Sequence, residues 1–97
     1  MATLSNYDQQ VRDFLSYLRV EAGLSSATLE AYRSDLELLR ENLIAEGIHC
    51  SSNVTPALLA SHIRYLHKKR GLQASSIARH LSTIRMFFLF LQASGRI

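Results

Sequence analysis

Four stretches with a helical spacing of apolar residues, each followed by a glycine, constrain this 97-residue chain more than any other feature. In the second stretch the apolar residues recur at alternating intervals of three and four positions, as Leu29, Tyr32, Leu36, Leu39 and Leu43. This spacing puts them on one face of an α-helix. Glycine is typical just beyond a helix, because it adopts the left-handed backbone conformation at little steric cost. No run alternates with the period of two that marks a strand, so the sequence predicts an all-α fold.

The ends of these segments carry helix-boundary signals. Ser5 and Asp8 have the spacing of an N-cap and a first-turn acid, and Pro56 follows Thr55 in the first helical position. A chain of this length can bury a core without metals or disulfides. We therefore predict one domain over residues 1–97, built as a four-helix bundle with one longer link around Ile48–Val54. The predicted helices are about Asn6–Ala22, Ser26–Glu46, Thr55–Arg70 and Ser75–Gln92.

Charge is divided unevenly along the chain. Residues 1–46 carry four arginines against eight acids, whereas residues 47–97 carry seven Lys or Arg residues and no acid. The net charge of +3 hides this division. A half of one sign raises the affinity for phosphate, nucleic acid or an anionic surface. A solvated basic surface is the simpler explanation, but fifty-one consecutive residues without an acid favour a polyanionic partner.

Other kinds of chemistry find no pattern in the sequence. Cys50 is the only cysteine, no apolar run approaches the ~20 residues of a membrane span, and the N-terminus lacks a signal-peptide pattern. The four histidines and Cys50 do not have the spacing of a zinc site, so we expect surface or half-buried histidines. No glycine-rich loop could cradle a phosphate. We predict a cytoplasmic protein without metal, cofactor, membrane or small-molecule substrate.

The fourth segment has two unlike faces when it is drawn as a helix. Its apolar side consists of Ile77, Leu81, Ile84, Phe88 and Leu91. The opposite side consists of Ser75, Arg79, Ser82 and Thr83, with Ser76 at the margin. This side holds an arginine among short hydroxyl side chains and no carboxylate, so the helix axis could approach a polyanion closely. Arginine and hydroxyl groups donate hydrogen bonds to phosphates and base edges. The pattern favours a helix that lies in a DNA groove.

The end of the fourth segment, Phe87–Leu91, is apolar on every side of the helix, and Phe90 falls on the azimuth of Arg79. Two explanations are open. The first helix could wrap this turn, or the apolar surface could continue into another domain or subunit. We expect the second, with a further domain downstream of the chain.

Two motifs follow one another along the chain. The first motif is Leu24-Ser25…Thr28-Leu29…Tyr32-Arg33…Asp35-Leu36. The second is Ser75-Ser76-Ile77-Ala78-Arg79…Leu81-Ser82…Ile84-Arg85…Phe87-Phe88…Leu91. Together they resemble the N-terminal core-binding domain of the tyrosine recombinases and phage-type integrases, and within this family most resemble the bacterial Xer-type site-specific recombinases. The resemblance covers nearly the whole chain. It implies a SAM-like, orthogonal four-helix bundle that forms one half of a C-shaped clamp around a recombination half-site.

The resemblance also implies which residues face DNA, because in the family the second and fourth helices cross near the major groove. Tyr32 lies within the apolar stripe, so it is either a core ring with an outward hydroxyl or a base contact. Arg85 lies at the margin of its face and either contacts DNA or pairs with an acid such as Glu37 or Glu41. The expected DNA-binding residues are Thr28, Tyr32, Arg33, Ser75, Ser76, Arg79, Ser82 and Arg85.

Catalysis in the family belongs to a C-terminal domain, where a tyrosine nucleophile is assisted by arginines, a lysine and histidines. His67 and Arg70 match an H-x-x-R pattern, but no tyrosine follows them, and we interpret them as cations that complement a helix C-terminus. The four tyrosines of this chain are expected to be packing residues: Tyr7, Tyr17, Tyr32 and Tyr65. The chain alone is predicted to have no catalytic residues and not to cut DNA. Its expected partners are double-stranded DNA and other recombinase protomers of the full-length protein.

An alternative of another class stays open. The chain could be a non-catalytic protein-interaction bundle, in which Phe87–Leu91 and the basic face dock an acidic partner protein. A DNA complex would weaken steeply as salt rises, whereas an apolar docking surface would respond little.

Overall fold

The computed structural model describes residues 4–97, and the predicted all-α, four-helix fold is confirmed. A short 3-10 turn, Ser51–Asn53, lies in the long link between the second and third helices. Each predicted helix boundary lies within two residues of the observed one. The helices are α1 (Tyr7–Glu21), α2 (Ser26–Ala45), α3 (Pro56–Lys68) and α4 (Ala74–Ala93).

Side-chain caps explain where two of the helices begin. The Ser25 hydroxyl accepts a hydrogen bond from the Thr28 backbone N–H at the start of α2. At the start of α3 the Thr55 hydroxyl accepts one from the Leu58 backbone N–H. The prediction that Ser5 caps α1 is wrong. The Ser5 backbone N–H instead donates to the His49 carbonyl oxygen, 2.8 Å away, which ties the chain to the α2–α3 link. Asn6, at φ 60°, is the residue that precedes α1.

The core lies where α1, α2 and α4 meet. The Tyr7 hydroxyl donates to the Leu36 carbonyl oxygen at 2.6 Å, and its ring meets the Phe87 ring edge-on at 5.5 Å between centroids. Burial raises the pKa of Tyr7 far above its ordinary value, so the hydroxyl keeps its proton. The Phe14 ring packs on the other side of Phe87, 5.4 Å away. Helix α3 covers the remaining side through the fully buried Leu66.

The apolar C-terminal turn of α4 is largely covered by α1. The Phe90 ring lies 5.6 Å from the Phe14 ring and 5.3 Å from the Tyr17 ring, centroid to centroid. The Arg96 guanidinium sits 5.0 Å above the Phe90 ring and pairs with Asp13 of α1 at 3.1 Å. The first of the two explanations for this turn therefore holds for Phe90. Leu89, which is 57% exposed, has no such cover in the described part of the chain.

The aromatic cluster gives a test of the core. Phe87→Ala removes a fully buried ring that contacts the rings of Tyr7, Phe14 and Phe88, and we expect the free energy of unfolding to fall by about 3–5 kcal/mol. Chemical denaturation followed by circular dichroism measures this loss. The matched control is Val20→Ala, which truncates a side chain that is 70% exposed and should change stability by less than about 0.5 kcal/mol. Equal effects of the two substitutions would contradict the assigned core.

Candidate nucleic-acid interface

Asp35 of α2 is a fully buried carboxylate at the contact between α2 and α4. The guanidinium of Arg79, on α4, forms an ion pair with this carboxylate. The Arg79 Nε donates to the two carboxylate oxygens at 3.2 and 3.0 Å, and Nη2 donates to Oδ1 at 2.6 Å. Hydrogen bonding to Asp35 raises the pKa of Arg79, so the guanidinium stays charged. Arg79 is nevertheless 42% exposed, and it therefore joins a buried acid to the protein surface.

Two further side chains of α4 complete the surroundings of Asp35. The Thr83 hydroxyl lies 2.9 Å from Asp35 Oδ2 and equally far from the Arg79 carbonyl oxygen, so its one proton serves either acceptor. The His80 Nε2 lies 3.1 Å from Asp35 Oδ1. Within residues 4–97, the side chains that contact this carboxylate thus all come from one face of α4, at positions 79, 80 and 83. The pairing fixes the rotation of α4 about its own axis.

This rotation corrects part of the predicted α4 pattern. Thr83, expected on the outer polar face, is fully buried because its hydroxyl meets Asp35. Leu81, expected on the apolar face, is 42% exposed, and Phe87 rather than Phe88 is the fully buried ring. A buried polar side chain can form its hydrogen bond with a charged partner inside the protein. The spacing of apolar residues along the sequence gives no sign of such a partner.

The buried polar contacts continue into α3. The His62 ring lies 6.4 Å from the His80 ring, centroid to centroid, and its Nδ1 is 3.0 Å from Asn42 Nδ2. Burial lowers the pKa of His62 to about 4, with the neighbouring His80 as a smaller cause. Burial likewise lowers the pKa of His80, and the Arg79 charge adds to that while Asp35 opposes it. The expectation of surface or half-buried histidines is therefore wrong for His62 and His80, which are fully buried.

The Asp35–Arg79 pair brings the two predicted motifs together. Tyr32, one turn before Asp35, is half-buried. Arg33 is exposed and pairs with Glu30. Thr28 is half-buried, and its hydroxyl accepts a hydrogen bond from the Ser25 hydroxyl in the capping turn of α2. The eight residues predicted to face DNA are hereafter the α2–α4 face: Thr28, Tyr32, Arg33, Ser75, Ser76, Arg79, Ser82 and Arg85.

The α4 part of this face is open to solvent. Ser75, Ser82 and Arg85 are exposed, and Ser76 is half-buried. Within residues 4–97 no acid lies at ion-pair distance from Arg85, so the predicted alternative of a pair with Glu37 or Glu41 is not observed. Glu37 contacts Arg40 instead, at 3.6 Å.

Most cations of the acid-free half are not neutralised by acids. In the described residues, only two of the seven form ion pairs, Arg79 with Asp35 and Arg96 with Asp13. The other five are exposed, and no acid of residues 4–97 pairs with them: Arg64, Lys68, Lys69, Arg70 and Arg85. Unpaired surface cations of one sign give a positive potential that attracts polyanions.

No group of three histidine, cysteine or acidic side chains in residues 4–97 is placed to hold a metal ion. None of the helices described is long and apolar enough to cross a membrane.

Arg79 was predicted to be a DNA-binding residue, but its buried partner Asp35 was not predicted. Asp35 stands three residues after Tyr32 and four before Leu39, which is the spacing of the apolar stripe itself. An acid at such a position predicts a buried carboxylate that needs a cationic partner. This signal was present in the sequence, whereas the partner on α4 could be named only from the fold.

Comparison with known proteins gives a family match. The model of the phage integrase N-terminal SAM-like domain matches residues 11–95. A tyrosine recombinase XerC of Herpetosiphon aurantiacus is 37% identical over 92% of this chain and 29% of its own length. A XerC of Chromobacterium violaceum is 40% identical over 91% and 28%, and a XerD of Brucella abortus is 36% identical over 88% and 27%. The chain thus spans less than a third of these relatives. No solved structure matches it.

The buried histidines make stability depend on pH. An unfolded histidine has a pKa of about 6.5, so between pH ~6.5 and ~4 the unfolded chain binds a proton that folded His62 does not. The free energy of unfolding should therefore fall as the pH is lowered, by about 1–2 kcal/mol from His62 between pH 7 and 5. Denaturant titrations at both pH values measure it.

The matched variants for this test are His62→Gln and His67→Gln, the latter at an exposed position of the same helix. We expect His62→Gln to reduce the difference in stability between pH 7 and 5, and His67→Gln to preserve it. An unchanged difference in His62→Gln would show that other groups cause the acid sensitivity.

Proposed function

Because the chain belongs to the phage integrase N-terminal SAM-like family and is the core-binding domain of a tyrosine recombinase, we propose that it binds double-stranded DNA at a recombination half-site. The α2–α4 face lies against the major groove. The domain holds one side of the duplex and performs no chemistry itself. A C-terminal catalytic domain, in the longer protein, cleaves and rejoins the strands, and contacts with other protomers assemble the recombining complex.

The observation that carries this proposal is the pairing of Asp35 with Arg79. The pair joins α2 to α4 at the point where the family's two motifs meet, and it leaves an arginine at the surface among the short side chains of Ser75 and Ser82. Short hydroxyl side chains let a helix come close to base edges and phosphates, and arginine is the commonest side chain in specific contacts with guanine. A surface with these properties suits the major groove.

The backbone at the start of α4 supports the same orientation. Gln73 precedes the helix without a side-chain cap, and the first turn contains no acid. The N–H groups of the first turn have no partners within a helix, and the helix dipole favours an anion there. Ser75 and Ser76 lie in this turn, so a DNA phosphate placed beside them would receive backbone and hydroxyl hydrogen bonds.

The unpaired cations supply the non-specific part of the binding. Arg85 extends the α2–α4 face, and Lys68, Lys69 and Arg70 follow one another at the end of α3. Cations that neutralise phosphates release bound counterions, which makes affinity depend on salt. The acids that could compete with DNA for these side chains lie in the first half of the chain, in α1, in α2 and at Glu46 just after α2.

The proposal predicts salt-sensitive, sequence-preferring binding. Fluorescence anisotropy should show tighter binding to a labelled duplex with a Xer-type half-site than to a scrambled duplex. The logarithm of the association constant should fall with the logarithm of salt concentration, with a slope of about −0.9 for each phosphate contacted. The absence of binding even at low salt would refute the proposal.

Arg85 gives a prediction with a matched control. Arg85→Ala should weaken binding to both duplexes by a similar few-fold factor and make the salt slope about one unit shallower, because one phosphate contact is lost. Arg19→Ala removes an exposed arginine of α1, outside the proposed face, and should leave slope and affinity almost unchanged. Equal losses from the two variants would show that only overall charge matters.

A protein-interaction function remains the second candidate, since one observation favours it. Leu89 is 57% exposed and lines two apolar grooves on either side of α4. If this surface, rather than the α2–α4 face, serves the main function, the chain binds neither duplex. Leu89→Ser would then abolish association with the partner.

A further inference from the structure

Asp35 uses only one side of the Arg79 guanidinium. A guanidinium has five N–H groups in a rigid plane. The Nε–H and one Nη2–H point at the carboxylate, with Nε 3.0 Å from Oδ2 and Nη2 2.6 Å from Oδ1. Both N–H groups of Nη1 and the second N–H of Nη2 are left, and no described protein group accepts from them. One of these on each nitrogen runs parallel to the other, so the end of the side chain presents a two-pronged donor.

The acid that holds this donor is itself fixed. Asp35 is fully buried and accepts hydrogen bonds from Thr83 and Arg79, and the His80 Nε2 lies 3.1 Å from its Oδ1. A carboxylate bonded on both oxygens has no freedom to rotate, and the arginine bonded to it loses most of its rotamers while it is still free of any ligand. Arg85, on the same helix, has no such acid within residues 4–97.

We propose that Asp35 is a positioning residue for DNA recognition, which holds the free two-pronged end of Arg79 toward a pair of adjacent acceptors on the duplex. Such acceptors are O6 and N7 of a guanine edge, or two oxygens of one phosphate. The inference rests on the proposed function. Asp35 contributes to affinity because the Arg79 side chain loses its conformational entropy when the protein folds, and not when it binds DNA.

Simple electrostatics predicts the opposite effect of Asp35, which makes the proposal easy to test. An acid next to a DNA-binding surface repels phosphates, so its removal should tighten binding. If Asp35 positions Arg79, its removal should weaken binding despite the more favourable net charge. The direction of the change in affinity therefore separates the two roles.

The experiment compares three variants of the chain in anisotropy titrations against the half-site and scrambled duplexes, at a temperature where circular dichroism shows each to be folded. Asp35→Asn keeps the shape of the acid and removes its charge, and we expect affinity for the half-site to fall roughly three- to tenfold. Glu37→Gln is the control, since it removes an exposed acid of the same helix that contacts Arg40 and not Arg79. It should bind as tightly as the wild type or slightly more tightly.

Arg79→Lys covers the case in which Asp35→Asn does not fold. Lysine keeps a cation opposite Asp35 but lacks a planar fork that can bond the acid and DNA at once. We expect affinity for the half-site to fall about tenfold, while the melting temperature stays closer to that of the wild type than in Asp35→Asn. A loss confined to the half-site duplex identifies a base edge as the acceptor, and an equal loss on both duplexes identifies a phosphate.

Three results would overturn the inference. If Asp35→Asn binds as tightly as the wild type or more tightly, Asp35 does not position Arg79 for DNA, although the proposed function stands. Wild-type affinity in Arg79→Lys has the same meaning, since the pair would then serve stability alone. Failure of the wild-type chain to bind either duplex removes the proposed function and the inference together.

Discussion

The burial of one carboxylate, that of Asp35, determines how the second half of the molecule is arranged. A charge taken out of water costs several kcal/mol unless partners replace its hydration. Here three residues of α4 replace it: Arg79, His80 and Thr83. These residues can reach the acid only at one rotation and one height of α4 against α2. In proteins generally, the exchange of a buried ion pair for apolar residues is often neutral or stabilising, so stability alone does not account for a charged pair at this contact.

The same contact organises α3. The His80 Nε2 lies 3.1 Å from Asp35 Oδ1, and the His80 ring lies beside the ring of His62, which in turn contacts Asn42 of α2. Each of the three later helices thus adds a polar group to one buried network of contacts. Helix α1 lies outside this network and is held by aromatic packing instead, through Tyr7 and Phe14 against Phe87.

Much of this fold could be predicted from the sequence, because helix periods and stops are local properties. The spacing of Leu36, Leu39 and Leu43 and the glycines after each segment place the helices within two residues of their observed bounds. The rotation of α4 could not be predicted in this way. His80 and Thr83 look like surface residues in a hydrophobic pattern, and only the acid on another helix makes them core residues. Similarly, Ser5 fails as a cap because a distant loop holds its backbone. The errors all arise where contacts between distant segments outweigh local preference.

The division of charge along the chain acquires a physical meaning from these contacts. The arginines of the first half that form ion pairs do so with acids of that half, Arg33 with Glu30 and Arg40 with Asp8 and Glu37. Among the acids of residues 4–97, only Asp35 and Asp13 pair with arginines of the second half, and Asp35 is also the fully buried one. An exposed acid at the centre of the α2–α4 face would repel the proposed ligand. A buried acid bonded to arginine adds little negative potential outside and still directs the cation. A carboxylate is therefore compatible with the proposed DNA-binding surface at Asp35, because Arg79 separates it from solvent and would lie between it and a bound duplex.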